Sequence, residues 1–557
     1  MLYSISRNSL TSQFIQVRLE LACKAGEKIC LQLPSWRPGR YEMANYAQKI
    51  KSFNILFKEK EISWEKETKS LWRFHASEEG QYQVFYEFYC NQMDAGACWS
   101  DDQQLYLNFS NFFFDIKGRE KEEIHIHIDL PENYRVATAL EKTDTPHSWK
   151  AGNFQEVMDS PLIASPQLSH YNYSVDGILF HLWIQGEIHF ETSPLIAQFK
   201  DFTGKMMRDF GEFPENEYHF LFQLLPYKHY HGVEHARSTV ITFGPALSLS
   251  DKKEMDELIG VSAHELYHAW NVCRIRPKEL IPYDLSKEVY LDTGLVLEGV
   301  TTYMGDLYLL KSGYFTLEDY CSLLSKIIQR EFDSLGWENQ SIVESSFDLW
   351  LDGYKPGIPD KKVSIYNRGA LLSFCLDVLL LEKGSSLAEV MKTMWEDFGK
   401  TKTGYTLSDF EQIIAQAYGD RSRIRQFFKD HAEGKKDLLP LLSSCLDALG
   451  LELTEIFDGS PLLHNYGIRT TETGTITQIH AKSPAYSLLM LNDQLVRVQG
   501  KVFSPGESHQ YSGDLEIVLE RYGREVHVKL PQGAFRMFPS YGVCPRKPSL
   551  IQKKWMA

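Results

Sequence analysis

The chain has no C-x-x-C pair and no regularly spaced cysteine framework; its nine cysteines are scattered from Cys23 to Cys544. An odd, dispersed set reads as free thiols in a reducing cytoplasm, and Cys23 with Cys30, or Cys90 with Cys98, would pair only in an exported protein. The first residues, Met1-Leu-Tyr-Ser-Ile-Ser-Arg-Asn, lack a charged segment followed by an apolar one, so no signal peptide is expected and the location expected is cytoplasmic. No uninterrupted apolar run approaches the ~20 residues that span a bilayer. The most apolar candidate, 370–381, is broken by Asp377. A basic cluster is also missing: 59 Lys and Arg stand against 74 Asp and Glu, a net charge of −15. That balance excludes nucleic acid and anionic membrane as expected partners. There is no internal repeat and no low-complexity segment. At 557 residues the chain is too long for one ordinary core, which predicts two to four domains.

What the chain does have is Ser262-Ala-His264-Glu265-Leu-Tyr-His268-Ala-Trp-Asn271, which contains H-E-x-x-H. On a helix, positions four apart share a face, so His264 and His268 can offer two imidazoles to one metal ion. Glu265 sits further round the same face, where its carboxylate reaches a water on the metal. Two His ligands and a neighbouring base are how a zinc hydrolase makes hydroxide near neutral pH. Such a short pattern also arises by accident on a solvated helix. Here Asp251 and Glu254 have the spacing of a capping box, and Leu258, Val261, Ser262, Glu265 and His268 keep a 3/4 spacing that places the histidines on or beside a buried stripe. Burying them without a partner is costly, and a metal is such a partner.

The third ligand expected is Glu298, the lone acid in the mostly apolar Gly294-Leu-Val-Leu-Glu298-Gly-Val-Thr-Thr302-Tyr-Met-Gly-Asp306, a helical stretch ending near Gly313. His, His and Glu with one open position is the catalytic arrangement of zinc rather than the closed structural one. One Zn²⁺ per chain is the cofactor expected. Asp306 or Thr302 either orients a ligand imidazole or simply packs.

These stretches resemble the glycyl aminopeptidase family of zinc peptidases, relatives of aminopeptidase N in the thermolysin-like group. The resemblance rests on H-E-L-Y-H-A-W-N-V followed by R-I-R-P, and on L-E-G-V-T-T-Y-M-G-D-L; Cys273 stands where N-V-K-R has Lys. Trp36-Arg-Pro-Gly39-Arg-Tyr41 is similar to a stretch of the family's N-terminal domain and otherwise means only a packed loop. His231-Gly232-Val-Glu234-His235 resembles the family's Gly-Gly-x-Glu-His edge strand, with His231 replacing the first Gly. The resemblance implies that Glu234 holds the free α-ammonium of a substrate, with Gly232 and His235 beside it; without it, this is an ordinary edge strand. Tyr366-Asn-Arg368-Gly369 is similar to the family's Y-x-K-G, with Arg368 for Lys. That makes Tyr366 the expected oxyanion donor, where it would otherwise be a core aromatic.

Taken in order, residues 1–165 alternate apolar and polar residues, as in 14–21, 82–89 and 124–130, and predict an N-terminal β-sandwich. His125 and His127 are expected on its wet face. Residues 166–440 are expected as a thermolysin-like, mainly helical catalytic domain, with a helix at 194–210 and a capping box at Thr316–Asp319. Leu438-Leu-Pro440 reads as a linker, 441–535 resembles a PDZ domain, and 536–557 is expected as a loosely held tail. The fold class expected is multidomain α+β. The activity implied is removal of N-terminal residues, small ones such as Gly or Ala, from peptides with a free N-terminus, with a peptide or protein ligand at the PDZ-like domain. Two alternatives remain open: a zinc hydrolase of a non-peptide ester or epoxide, and a non-catalytic interaction protein using the PDZ-like module.

Overall fold

The computed structural model describes residues 1–504 and 511–557, and the architecture is that of the described residues. The N-terminal part is β-rich. Phe14–Cys23 buries alternate side chains and pairs antiparallel with Gly80–Tyr89 along its whole length, in an eight-stranded sheet. Ile124–Ile128 joins that sheet parallel to Leu2–Arg7, with three buried isoleucines and with His125 and His127 in solvent, as period-two alternation dictates. Two four-stranded sheets complete this region.

A five-stranded sheet follows, in the order Ser169–Val175, Ile178–Gln185, Glu217–Leu224, Ser238–Gly244, His229–Glu234. Its three inner strands run parallel and its outer two antiparallel, so the stretch ending in Glu234 is an edge strand. The helix Thr192–Phe210 packs beside this sheet, and from Lys252 onward the chain is mainly helical. The Asp251 side chain caps the Lys252–Tyr267 helix by accepting from Lys253 N at 2.8 Å; Glu254 does not complete the expected box. At Thr316–Asp319 both halves of the box form.

Two glycines set the distance between the helices that carry the site. A Cβ on Gly299 would lie 2.5 Å from Gly369 Cα, and one on Gly305 3.1 Å from His264 Cα. Backbone stands opposite backbone at the first crossing, so nothing there can rotate away. Gly299→Ala is therefore expected to destabilise the protein by about 1–3 kcal/mol through overpacking. Thermal unfolding checks this, and Gly260→Ala, a helical position where a Cβ meets nothing within 4 Å among the described residues, is the comparison for an uncrowded site.

The segment around Pro440 is not a linker: Leu439–Leu449 is a helix with Pro440 in its first turn, a position where the missing N–H costs nothing. A module with its own apolar core follows, including Leu462, Ile476, Leu495, Ile517 and Leu530. Residues 505–510, inside the expected module, lie outside the described residues. The module is tied to the helical part by Arg469 to Asp333 at 2.7 Å and Lys482 to Glu338 at 2.7 Å. Nor is the C-terminus loose. Ser540–Pro545 pairs with Leu451–Ile456, and the Leu550–Met556 helix buries Trp555. Trp555 Nε1 donates to Tyr303 Oη at 2.9 Å, and Tyr303 donates to Asp377 Oδ2 at 2.5 Å. Asp377 thus sits inside a continuous helix, Asn367–Glu382, as a satisfied buried acceptor.

Candidate active site

The Lys252–Tyr267 helix delivers His264 and Glu265, and His268 follows as its C-cap, still in helical conformation. Facing it, Leu295–Val300 forms a π-turn that carries Glu298 and leads into the Thr301–Lys311 helix. The extra residue in that turn re-aims Glu298 toward the histidines; such bulges frequently mark functional sites. His264 Nε2 and His268 Nε2 are 3.0 Å apart, and each lies 3.5 Å from Glu298 Oε2.

This triangle is what three ligands of one small cation should form. Tetrahedral bonds of about 2.0–2.1 Å imply ligand–ligand edges of roughly 3.3–3.4 Å. His268 Nδ1 lies 2.6 Å from Asn271 O, and since a carbonyl only accepts, Nδ1 holds a proton and Nε2 is the nitrogen that faces the triangle. Glu298 Oε2 and Glu265 Oε2 are buried with no hydrogen-bond partner among the described residues. The site is rich in negative charge: Glu234, Glu265 and Glu298 are all buried. Burial, reinforced by Glu234 and Glu298, pushes the Glu265 carboxyl well above its usual range, although His268 opposes this. Burial disfavours charge on His268, yet the three carboxylates outweigh it and push the imidazole up to about 10. Burial also opposes charge on Glu298, where the two facing imidazoles win and hold its carboxyl low. Two nitrogen donors, one orphaned carboxylate oxygen and uncompensated negative charge fit a divalent cation such as zinc.

The orienting group that the sequence did not reveal is Asn271. Its carbonyl fixes His268, while its side chain donates to Val296 O at 2.7 Å and to Thr301 Oγ1 at 3.0 Å, locking the histidine segment to the π-turn. Its signal was a polar residue in a segment that is otherwise buried. Thr302 and Asp306, the sequence candidates for that task, line the cleft instead.

The cleft has a volume of about 990 Å³ and is lined by Gly232, Glu234, Tyr366 and all three candidate ligands. Glu234 is 7 % exposed, and no cationic side chain forms an ion pair with it among the described residues. Burial raises its pKa, against the pull of His268. Gly232 brings the edge strand against the helix: a Cβ there would collide with Glu265 Oε1. Gly39, at φ +77°, does the same from the N-terminal part, since a Cβ would strike the Glu234 carboxylate. The Trp36–Tyr41 stretch is thus one wall of the cleft, anchored by Trp36 Nε1 donating to Asp284 O at 2.9 Å and Lys287 O at 2.8 Å. His231 lines the cleft with Nδ1 3.9 Å from Asp94 Oδ1, so the side chain that replaces glycine does intrude.

Tyr366 lines the cleft at the start of the Asn367–Glu382 helix, its ring 6.4 Å from that of His264. Arg368 points away and pairs with the buried Glu331 at 3.0 Å. His235 is not brought into the cleft. Its Nδ1 lies 2.9 Å from Asp159 Oδ1, just past the end of the strand.

Two known domains match the chain: the M61 peptidase N-terminal domain over residues 2–166 and the M61 glycyl aminopeptidase domain over residues 257–372. Both contribute residues to the same cleft, and the class they define is a metallo-aminopeptidase. The chain belongs to the M61 glycyl aminopeptidase family. Among solved structures, an aminopeptidase N family protein from Idiomarina loihiensis is similar over the whole of both chains, with a TM-score of 0.90 at 23 % identity. A two-domain M1 zinc metallopeptidase variant bound to L-arginine matches over 79 % of this chain and 94 % of its own, with a TM-score of 0.50 at 14 % identity. The M1 zinc metallopeptidase from Deinococcus radiodurans matches over 78 % and 93 %, with a TM-score of 0.49 at 14 % identity. Among curated proteins none matches significantly. Among the described residues no helix is long and apolar enough to cross a membrane.

Proposed function

We propose that the chain is a zinc-dependent aminopeptidase that removes small N-terminal residues, Gly or Ala, from peptides. The observation that carries this reading is Glu234: a buried carboxylate in no ion pair among the described residues, held beside the His264, His268 and Glu298 triangle. A substrate ammonium supplies the missing charge, and its position fixes cleavage at the first peptide bond. The preference for small residues is supported by the cleft that holds Glu234, where Gly39 presses against its carboxylate and the side chains of His231 and Asp94 take up space in the lining.

His264, His268 and Glu298 would hold the zinc, which when bound supplies Lewis-acid polarisation of the scissile carbonyl and a water of lowered pKa. Glu265 accepts a proton from the attacking water and passes it to the leaving amine. Tyr366 Oη donates a hydrogen bond to the carbonyl oxygen as negative charge builds there. Glu234 keeps the N-terminus in register. The same reading takes 1–165 as a β-sandwich, 166–440 as a thermolysin-like catalytic domain and 441–535 as a PDZ-like module, in a cytoplasmic enzyme.

Metal analysis is the test. Purified protein is expected to hold about one zinc per chain, and Glu298→Ala to lose it while keeping its far-UV circular dichroism. Stoichiometric zinc in a His264→Ala, His268→Ala double variant would remove the assignment.

A further inference from the structure

The cleft does not end at the candidate catalytic residues. Arg330 and Asn367 line it, and both also line a second groove of about 980 Å³ between the helical part and the C-terminal module. Asn367 directly follows Tyr366, and consecutive Cα atoms are about 3.8 Å apart. The groove therefore opens within a residue or two of the place where the scissile carbonyl is proposed to sit. A single loop divides the two spaces: Tyr354 and Tyr366 face the cleft, while Pro356, Ile358 and Pro359 face the groove.

The opposite wall comes from the module, with Ile479, Tyr486, Leu489 and Leu491. Apolar side chains are left in solvent on both sides, Ile358 at 65 % exposure and Tyr486 at 59 %, in a molecule whose other large apolar groups are mostly buried. The charges around the groove are largely spent internally: Asp333 pairs with Arg469, Glu331 with Arg368 and Lys355 with Glu42. Arg330 is exposed, its guanidinium forms no ion pair or hydrogen bond among the described residues, and it stands at the junction of the two spaces.

We infer that this groove receives the downstream part of the peptide substrate. Past the first peptide bond the chain runs by Asn367 and Arg330, whose guanidinium donates to a backbone carbonyl. It then lies between the Pro356–Pro359 loop and the module, where apolar side chains several positions beyond the cleaved bond meet Ile358, Tyr486 and Leu489. The substrate class is thus an oligopeptide with apolar residues downstream rather than a dipeptide, and the module is a wall of the substrate channel. This rests on the aminopeptidase reading and adds the length and downstream chemistry of its substrate.

The test compares glycine 4-nitroanilide with free-amine alanine peptides of two to eight residues that carry leucine at the fifth and sixth positions when long enough. For the wild type, kcat/KM is expected to rise about tenfold or more once those leucines are present, the value of burying one such side chain. An Ile358→Asp, Tyr486→Asp double variant, altered only at exposed positions, should keep the nitroanilide rate and lose most of the rise. Dissociation constants of the same peptides on Glu265→Gln protein should follow the same order without turnover. If the nitroanilide is cleaved and kcat/KM is flat with length, or if the rise survives in the double variant, the groove assignment is overturned. It is overturned equally if tripeptides are best and Arg330→Ala abolishes only that advantage, since Arg330 then captures a C-terminal carboxylate. If neither the nitroanilide nor any peptide is cleaved but the binding series holds, the aminopeptidase reading fails and the groove stands.

Discussion

Glu265→Gln is expected to leave a folded protein with its full zinc content and to lower kcat on a free-amine peptide by about 10³–10⁴-fold. The substitution keeps size and shape and removes only the ability to take a proton. Glu265 is not one of the three groups whose donor atoms form the ligand triangle, so metal retention has no reason to change. Its Oε2 is buried without a partner, and the edge strand approaches it closely only because residue 232 is glycine. The group most able to compensate is Glu234, whose carboxylate lies within 4.8 Å of the Glu265 carboxylate and the His268 imidazole. Substantial activity in Glu265→Gln, lost again in the double variant with Glu234→Gln, would move the base to Glu234 and leave the amine without its anchor.

Glu234→Ala is expected to reduce kcat/KM for free-amine peptides by about 10²–10³-fold, the size of a truncated buried charge pair. Both KM and kcat should suffer, because the anchor fixes the position of the reacting bond as well as binding the amine. The effect on stability has the opposite character. In the free protein Glu234 is a buried carboxylate in no ion pair among the described residues, and burial outweighs the pull of His268, so its removal relieves an unfavourable burial. The melting temperature of Glu234→Ala should therefore equal or exceed that of the wild type. A large fall in melting temperature together with a modest fall in rate would make Glu234 a structural residue.

The pairing of His264 with His268, and the lone acid at Glu298, were legible because helical spacing and an interrupted apolar run are properties of the sequence itself. The π-turn that aims Glu298 was not, since one extra residue per turn leaves no periodic mark over six residues. Asn271 orients His268 through its backbone carbonyl, which any residue possesses, and its side-chain partners Val296 and Thr301 lie 25 and 30 residues away, so only a polar residue in a buried segment marked it. Gly39 looks like any turn glycine until a distant strand places Glu234 against it. Two expectations fail where the sequence carries a visible signal. Pro440 reads as a breaker, although proline is welcome in the first turn of a helix. The basic residues of the C-terminus mask Ile551, Trp555 and Met556, the apolar side of the closing helix. The exposed faces of His125 and His127 follow directly from alternation with isoleucine, because in a strand the side-chain period leaves no other choice.

The most direct measurement is the ratio of hydrolysis rates for one peptide with a free and with an acetylated N-terminus, on zinc-loaded wild-type protein. Acetylation removes the ammonium and adds bulk where Gly39 and Glu234 close the cleft, with no change at the scissile bond itself. The predicted result is a free peptide cleaved at its first bond and an acetylated one slower by about 10²-fold or more. Equal rates, or cleavage at an internal bond of both, would contradict the account at its centre.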